Sequence, residues 1–438
     1  MSLIDIILSK YKVDIGDYVK IRLSDGSIIK GLIMPKHIYS KEDILVIKLD
    51  NGYNIGIKVS RIEDIKKDVP PTYEGLHIEF ERRYIQGLPR VLLLGVGGTI
   101  LSRVDYRTGG VKSAVSAEEI IEILPEIQDI AEIHTRVIMN KYSEHLTPSD
   151  WSKIANEVYK GIREGYDGVI VLHGTDTLGY TAAALSFAIQ KSPIPIILVG
   201  SQRSSDRPSS DAALNLISAV YIAGHAPFAG VYVVMHASSS DNKIAVHLGT
   251  RVRKNHTSRR DAFQSIDILP VAYVDENLNI KINYTDGIYK RDKNRSPAFH
   301  PKFSRNAALI KFYPGMHPEI LKSILGLNIK ALVIEGTGLG HLGEHLFEVL
   351  ETLIREGVHV FVTSQCIWGR VNLNVYDTGR ILLKIGLIPL GNMLSETAYV
   401  KASWILGNFG EDELPILMPT NIAGEITSRS PVKDLRCI

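Results

Sequence analysis

Cysteine is the scarcest chemical resource of this chain: Cys366 and Cys437 are the only two in 438 residues. Two thiols so far apart exclude a disulfide framework and a cysteine-rich zinc site, and they fit a reducing cytoplasm. Long apolar runs are missing as well, since none approaches the ~18–20 residues of a membrane span. The opening segment, MSLIDIILSKYK, carries Asp5 inside its short apolar run and no basic leader, so a secretory signal is not expected. Charge of one sign is also lacking. The formal net charge is +2, which provides no field to draw the whole chain onto nucleic acid or an anionic membrane. There is no fixed-period repeat, no low-complexity tract and no P-loop. What remains is an ordinary globular composition, 45% hydrophobic and 22% charged. A prior of ~150 residues per domain makes it two or three domains long.

The stretch that organises the chain is Val91 to Ile100, VLLLGVGGTI. Val91 to Leu94 are apolar without alternation, as in a strand buried on both faces of a parallel sheet. The run breaks into Gly95-Val96-Gly97-Gly98 and then Thr99, so a hydroxyl stands where the strand ends. Ligands of open α/β sheets bind beyond the carboxyl ends of the strands, which makes Thr99 a candidate nucleophile. The plainer reading is a helix N-cap on a tight turn. Gly168 to Leu172 repeats the pattern and runs into His173-Gly174-Thr175-Asp176-Thr177.

Around these two motifs, strands and helices alternate. Strands are predicted over 134–139, 194–199 and 230–235, and helices over 117–124 (with a Ser116/Glu119 capping box), 148–164, 178–190 and 211–223. This order argues a parallel sheet with helices on both faces. Residues 275–305 are polar and carry the run Lys290-Arg291-Asp292-Lys293-Asn294-Arg295, which reads as a linker with a solvated surface. A second α/β unit follows, with strands over 307–312, 331–335, 359–364 and 388–390 and helices from about Pro318, Leu342, Asp377 and Ser395.

The first 85 residues differ in texture. Four or five short alternating segments, with Asp25-Gly26 and Asn51-Gly52 at turn positions, predict a small antiparallel β-barrel of the SH3 or Sm type. Lys plus Arg number 14 there against 13 Asp plus Glu, so no surplus for phosphate appears and a docking or spacer module is favoured over an autonomous tRNA binder. The divisions are therefore 1–85 for the barrel, 90–275 for the α/β domain with the threonine motifs, 276–305 for the linker, and 306–438 for the second α/β domain.

Three constellations carry chemistry. If the two threonine strands are neighbours, then Thr99, Thr175, Asp176 and free backbone N–H groups converge on one crevice, which is what acyl transfer requires. A threonine hydroxyl needs a base, and a lysine serves once burial or a nearby cation lowers its pKa. Lys254, just past a strand in GTRVRKNHT, is one lysine among many by spacing alone. His341-Leu-Gly-Glu344-His345 matches a zinc-peptidase pattern, with Gly343 and the missing third ligand against it. Gly338, Gly340 and Gly343 formally match a dinucleotide fingerprint, but no acid for a ribose ends the next strand.

GVGGTI and VLHGTDTLGYTA, with about 75 residues between their threonines, resemble the two signature motifs of the bacterial-type L-asparaginase family, a similarity that extends over about 91–425. The resemblance implies an asparaginase-like α/β fold of two domains with parallel sheets and helices on both faces. It implies Thr99 as nucleophile, Thr175 and Asp176 as the second threonine and its aspartate, and Lys254 as the completing lysine. Tyr106, in SRVDYRTGGV, resembles the tyrosine of a loop that closes over substrate, and Ser143, in KYSEHLTP, the serine that holds the substrate's α-carboxylate. Neither metal nor organic cofactor is implied in this chain. Which threonine attacks first is open.

Two departures point to a subgroup. Free asparaginases lack an N-terminal barrel, and Gly338-Leu339-Gly340-His341-Leu342 replaces an Asn-Gly-Asn stretch that many of them carry. Together with DYRTGG and SEHLTP, these features resemble the glutaminase subunits of archaeal glutamyl-tRNA(Gln) amidotransferases. That resemblance implies hydrolysis of L-glutamine, with ammonia passed to a partner, the E-type subunit of the amidotransferase, which binds the mischarged tRNA and uses ATP and Mg²⁺. It also implies a homodimer of this chain within a heterotetramer, no membrane partner and a cytoplasmic location. The alternative is a free cytoplasmic L-asparaginase or glutaminase.

Overall fold

The computed structural model describes residues 3–35, 43–50, 53–69, 85, 87–97, 124–203, 209–284 and 287–429, and the backbone alone of 102–104 and 111–113. Thr99, Tyr106, Asn51-Gly52 and residues 117–123 of the helix expected over 117–124, with its capping box, lie outside the described side chains.

The N-terminal module starts with a helix, Leu3–Tyr11, where the sequence suggested no element. Ile4, Ile7 and Leu8 recur at helical spacing and are buried against the strands that follow. Five antiparallel strands, Tyr18–Leu23, Ile28–Ile33, Ile44–Lys48, Asn54–Lys58 and Ile62–Lys67, pair in the order fourth, third, second, first, fifth. Val19, Ile21 and Leu23 face the core on alternate positions. Gly26, at φ +81°, makes the expected tight turn after the first strand. This is the small five-stranded antiparallel module expected from the alternating segments; among the described residues its two edge strands are not paired with each other.

The first α/β domain is built on five parallel strands in the order Phe228–His236, Pro195–Val199, Gly168–Leu172, Arg90–Gly95, Glu132–Val137. Alternation explains why the strands read as continuous apolar runs. Val91, Leu93, Ile170 and Leu172 pack under the helix Ala212–His225, while Leu92, Leu94, Val169 and Val171 pack under Pro148–Arg163 and Leu178–Ala188. The sheet is mixed rather than wholly parallel. Lys243–Leu248, Ala272–Asp275 and Ile280–Ile282 extend it beyond Phe228–His236 in antiparallel pairings. Short connections join Phe228–His236 to Lys243–Leu248 and Ala272–Asp275 to Ile280–Ile282 as hairpins, whereas a parallel partner would need a crossover.

The linker segment is exposed along most of its charge run, as expected of a solvated surface, and is also pinned at several points. Tyr289–Lys290 pairs with Phe228–Ala229, and Ala298–Phe299 with Ile189–Gln190. The Arg291 guanidinium donates to the carbonyls of Ala223 and Gly224, both at 2.7 Å, at the end of the Ala212–His225 helix. Burial pulls this guanidinium below its ordinary pKa, with Asp167 opposing.

The second domain is a four-stranded parallel sheet, Ala307–Lys311, Ala331–Gly336, His359–Ser364 and Ile388–Pro389, in chain order. The helix Ser395–Asn408 lies against Leu178–Ala188 of the first domain, with Phe187 stacked on Trp404 at 5.6 Å. Leu178–Ala188 is thereby apolar all round, since one face meets its own sheet and the other meets the second domain. No helix among the described residues is long and apolar enough to cross a membrane.

Candidate functional site

The condition set by the sequence is met: the two threonine strands are direct neighbours. Arg90–Gly95 and Gly168–Leu172 pair in parallel with Gly95 opposite Leu172, so both glycine turns leave the same edge of the sheet. Beyond Gly95, Val96 donates its N–H to the Leu172 carbonyl at 3.1 Å. Gly97 follows at φ +133°, and a Cβ on it would stand 2.1 Å from the Lys141 carbonyl oxygen. Only glycine fits there. Thr99, two residues on, lies outside the described residues.

Lys141 and Ser143 come from the segment after Glu132–Val137, the strand on the other side. The Lys141 ammonium binds both oxygens of Asp150, at 2.9 and 3.0 Å, and Asp150 also accepts the Thr147 N–H in the first turn of Pro148–Arg163. Burial alone would push the Asp150 carboxyl up, but hydrogen bonds from Lys141 and Thr147 outweigh it and hold the pKa below the usual value. Ser143 is thereby pressed against the second threonine turn. It is 4% exposed, its carbonyl accepts the Thr177 hydroxyl at 2.7 Å, and a Cβ on Gly174 would come within 3.0 Å of its Oγ.

Thr175, Asp176 and Lys254 are brought together. The Lys254 ammonium donates to Thr175 Oγ1 at 2.9 Å and to Asp176 Oδ1 at 2.7 Å. Lys254 is largely enclosed, with 14% of its side chain exposed, whereas Asp176 is 67% exposed. A hydroxyl, an ammonium beside it and an open carboxylate thus share one crevice mouth. Such a set can shuttle a proton to and from a hydroxyl and anchor a cationic group of a ligand.

Beneath the turn, His173 bridges Gly174 O at 2.7 Å and Thr181 Oγ1 at 2.9 Å. Burial pulls its imidazole down to about 4, so it stays neutral, with Nδ1 donating to the carbonyl and Nε2 accepting the hydroxyl proton. Residues the sequence reading missed form the third wall. Gly200 ends the Pro195–Val199 strand so close to Thr175 that a Cβ would lie 2.9 Å from its Cγ2. The Asp211 carboxylate holds the following turn through the N–H groups of Gln202 and Arg203, and Asn215 ties Asp211 to the buried His236. The available signal was Gly200-Ser201-Gln202 after an apolar strand, the same strand-then-glycine pattern as the two threonine motifs.

The two competing motifs take structural roles. His341 and Gly340 lie in a loop before the helix Phe347–Arg355, so His341 and His345 do not share a helical face. His345 Nε2 meets the Met316 carbonyl, and no metal-ligand cluster occurs among the described residues. Gly340 packs against Val371 and Val362 rather than opening a helix onto a phosphate.

Comparison with known proteins gives the family. Family models match in three consecutive stretches: GatD N-terminal domain over 13–67, asparaginase N-terminal over 90–286, and glutaminase/asparaginase C-terminal domain over 306–414. The D-type subunit of the glutamyl-tRNA(Gln) amidotransferase of Thermofilum pendens is 47% identical over 426 residues, covering 94% of this chain and 93% of the relative. That of Pyrococcus abyssi is 47% identical over 432 residues, covering 97% of each. The chain belongs to the family of D-type glutamyl-tRNA(Gln) amidotransferase subunits. Among solved structures, the thermostable L-asparaginase from Thermococcus kodakarensis matches 78% of this chain and 100% of its own at 36% identity and a TM-score of 0.69. L-asparaginase I from Vibrio cholerae matches 78% and 99% at 26% identity and a TM-score of 0.68. Both cover about as much of the chain as its two α/β domains, so the N-terminal module is what sets the D-type family apart from them.

Proposed function

We propose that this chain is the glutaminase subunit of an ATP-dependent glutamyl-tRNA(Gln) amidotransferase, hydrolysing L-glutamine to supply ammonia for converting Glu-tRNA(Gln) to Gln-tRNA(Gln). The observation that carries the reading is the Lys254 ammonium seated on both Thr175 and Asp176 at the end of the neighbour of the Thr99 strand. The partner is the E-type subunit, the assembly a dimer of this chain within a heterotetramer, and the location the cytoplasm. ATP and Mg²⁺ are used by the partner, and nothing in this chain is assigned to them.

In this reading the glutamine amino group pairs with Asp176, whose carboxylate accepts from Lys254 at Oδ1 and is still largely exposed. Ser143 and nearby backbone N–H groups hold the α-carboxylate. Thr99 attacks the side-chain amide carbon, and N–H groups of the glycine turns stabilise the oxyanion, at ~3–4 kcal/mol per donor in comparable sites. The Lys254 ammonium gives a proton to the leaving nitrogen and is restored by the proton of the attacking hydroxyl, relayed through Thr175, so ammonia departs. Water then hydrolyses the threonyl ester and restores Thr99. Tyr106 closes over the substrate as part of the 102–110 segment. The modules divide at 1–85, 90–275, 276–305 and 306–438.

The test is kinetic. Thr99→Ala, Thr175→Ala, Asp176→Ala and Lys254→Ala are each expected to lower glutamine hydrolysis by at least ~100-fold with the fold intact, as for contacts made mainly in the transition state. Turnover near that of the unaltered chain in both threonine variants would end the assignment.

A further inference from the structure

Lys254 does not belong to the wall that carries the threonines. It ends the strand Val252–Lys254, which forms a hairpin with Phe263–Ser265. Successive residues of a strand point to opposite sides, so Arg253 faces away from Val252 and Lys254. Val252 and Phe263 are buried in the core of the first domain. Arg253 instead reaches the second domain, where its Nε donates to Glu396 Oε1 at 2.7 Å. Glu396 stands in the first turn of Ser395–Asn408, a place where the helix dipole favours a carboxylate.

The base of the hairpin is fastened the same way. The Arg251 guanidinium is fully buried and donates to the carbonyls of Asn392 at 2.7 Å and Glu425 at 2.9 Å. Asp267, at φ +58°, accepts from Gly369 N and from Asn392 Nδ2. Thr397 Oγ1 donates to the Thr250 carbonyl at 3.0 Å. Every one of these partners, Asn392, Glu425, Gly369 and Thr397, is a second-domain residue. Thr175 rides on the first domain, so the gap between the lysine and the threonine depends on how the second domain sits.

We propose that Arg253 and Glu396 are a positioning pair for Lys254: their ion pair fixes the depth of the lysine hairpin and ties turnover to the seat of the second domain. The proposal rests on the proton-relay role of Lys254 given above. Arg251 and Asp267 set the root of the hairpin but are buried, so replacing them endangers the fold. Arg253 and Glu396 are 34% and 20% exposed in their side chains, which lets the pair be removed at small cost to stability. Tyr180, on the first-domain helix, borders the pair: burial first and the Glu396 charge next push its phenol up to about 12, with Arg253 opposing.

Steady-state glutamine hydrolysis by the full chain tests this. Arg253→Met and Glu396→Gln are each expected to lower kcat by ~10-fold while KM stays within about twofold, since the substrate anchors are untouched. The exchange Arg253→Glu with Glu396→Arg is expected to recover a large part of the loss. On a Lys254→Ala background, Arg253→Met is expected to cost nothing more, because the two residues act as one unit. Unchanged kcat in Arg253→Met, a rise in KM alone, or full additivity with Lys254→Ala would overturn the positioning role while leaving the lysine's role standing. If Lys254→Ala itself turned over like the unaltered chain, the lysine's role would fall and this proposal with it.

Discussion

At the scale of single residues, the site is set by what cannot be larger. A Cβ on Gly97 would stand 2.1 Å from the Lys141 carbonyl, at a φ of +133°. Gly26 offers a comparison, with φ +81° and nothing within 4 Å of a Cβ. Gly97→Ala is therefore expected to cost at least ~2 kcal/mol in urea unfolding and to abolish glutamine hydrolysis. Gly26→Ala carries only the backbone term, ~1 kcal/mol, with activity intact. Equal effects of the two substitutions would show that the Gly97–Lys141 contact relaxes freely. Thr175 and Asp176 were legible because a hydroxyl and a carboxylate directly follow an apolar strand and a glycine. Lys254 was not. Its place depends on the seat of a hairpin, which no local spacing encodes, and only family resemblance singled it out.

At the scale of elements, strands buried on both faces were the most legible feature, since each is an unbroken apolar run bounded by glycine or charge. Pro148–Arg163 was marked by Thr147 and Pro148 at its start, and the structure agrees. The antiparallel edge of the first sheet was missed because Lys243–Leu248, Ala272–Asp275 and Ile280–Ile282 are defined by their pairing, not by composition. The charge run at Lys290 is solvated at Lys290, Asp292, Lys293 and Asn294, as read, but not at Arg291. Its Arg291 is spent on helix carbonyls that only the folded chain brings near. Arg291→Met keeps the apolar stem but leaves the Ala223 and Gly224 carbonyls unmet, so a loss of ~2–3 kcal/mol in denaturant unfolding is expected. A change within ~0.5 kcal/mol would place Arg291 with the solvated remainder of the run.

At the scale of the whole molecule, the chain joins an amidohydrolase body to a module that the matched asparaginases lack. Its two-domain plan was legible from the order of strands and helices, whereas the seating of one domain on the other was not. That seating rests on Arg251, Asn392 and Glu425, far apart in sequence and joined only by folding. An amidotransferase gains nothing by hydrolysing glutamine before an acceptor is ready, so its glutaminase should wait for its partner. The direct measurement is the rate of glutamine hydrolysis by the purified chain, alone and then with the E-type partner and Glu-tRNA(Gln). A rise of at least ~10-fold is expected, which requires only ~1.4 kcal/mol of coupling between sites. Full-rate hydrolysis of asparagine by the isolated chain, indifferent to partner and tRNA, would contradict this and place the chain among the free asparaginases.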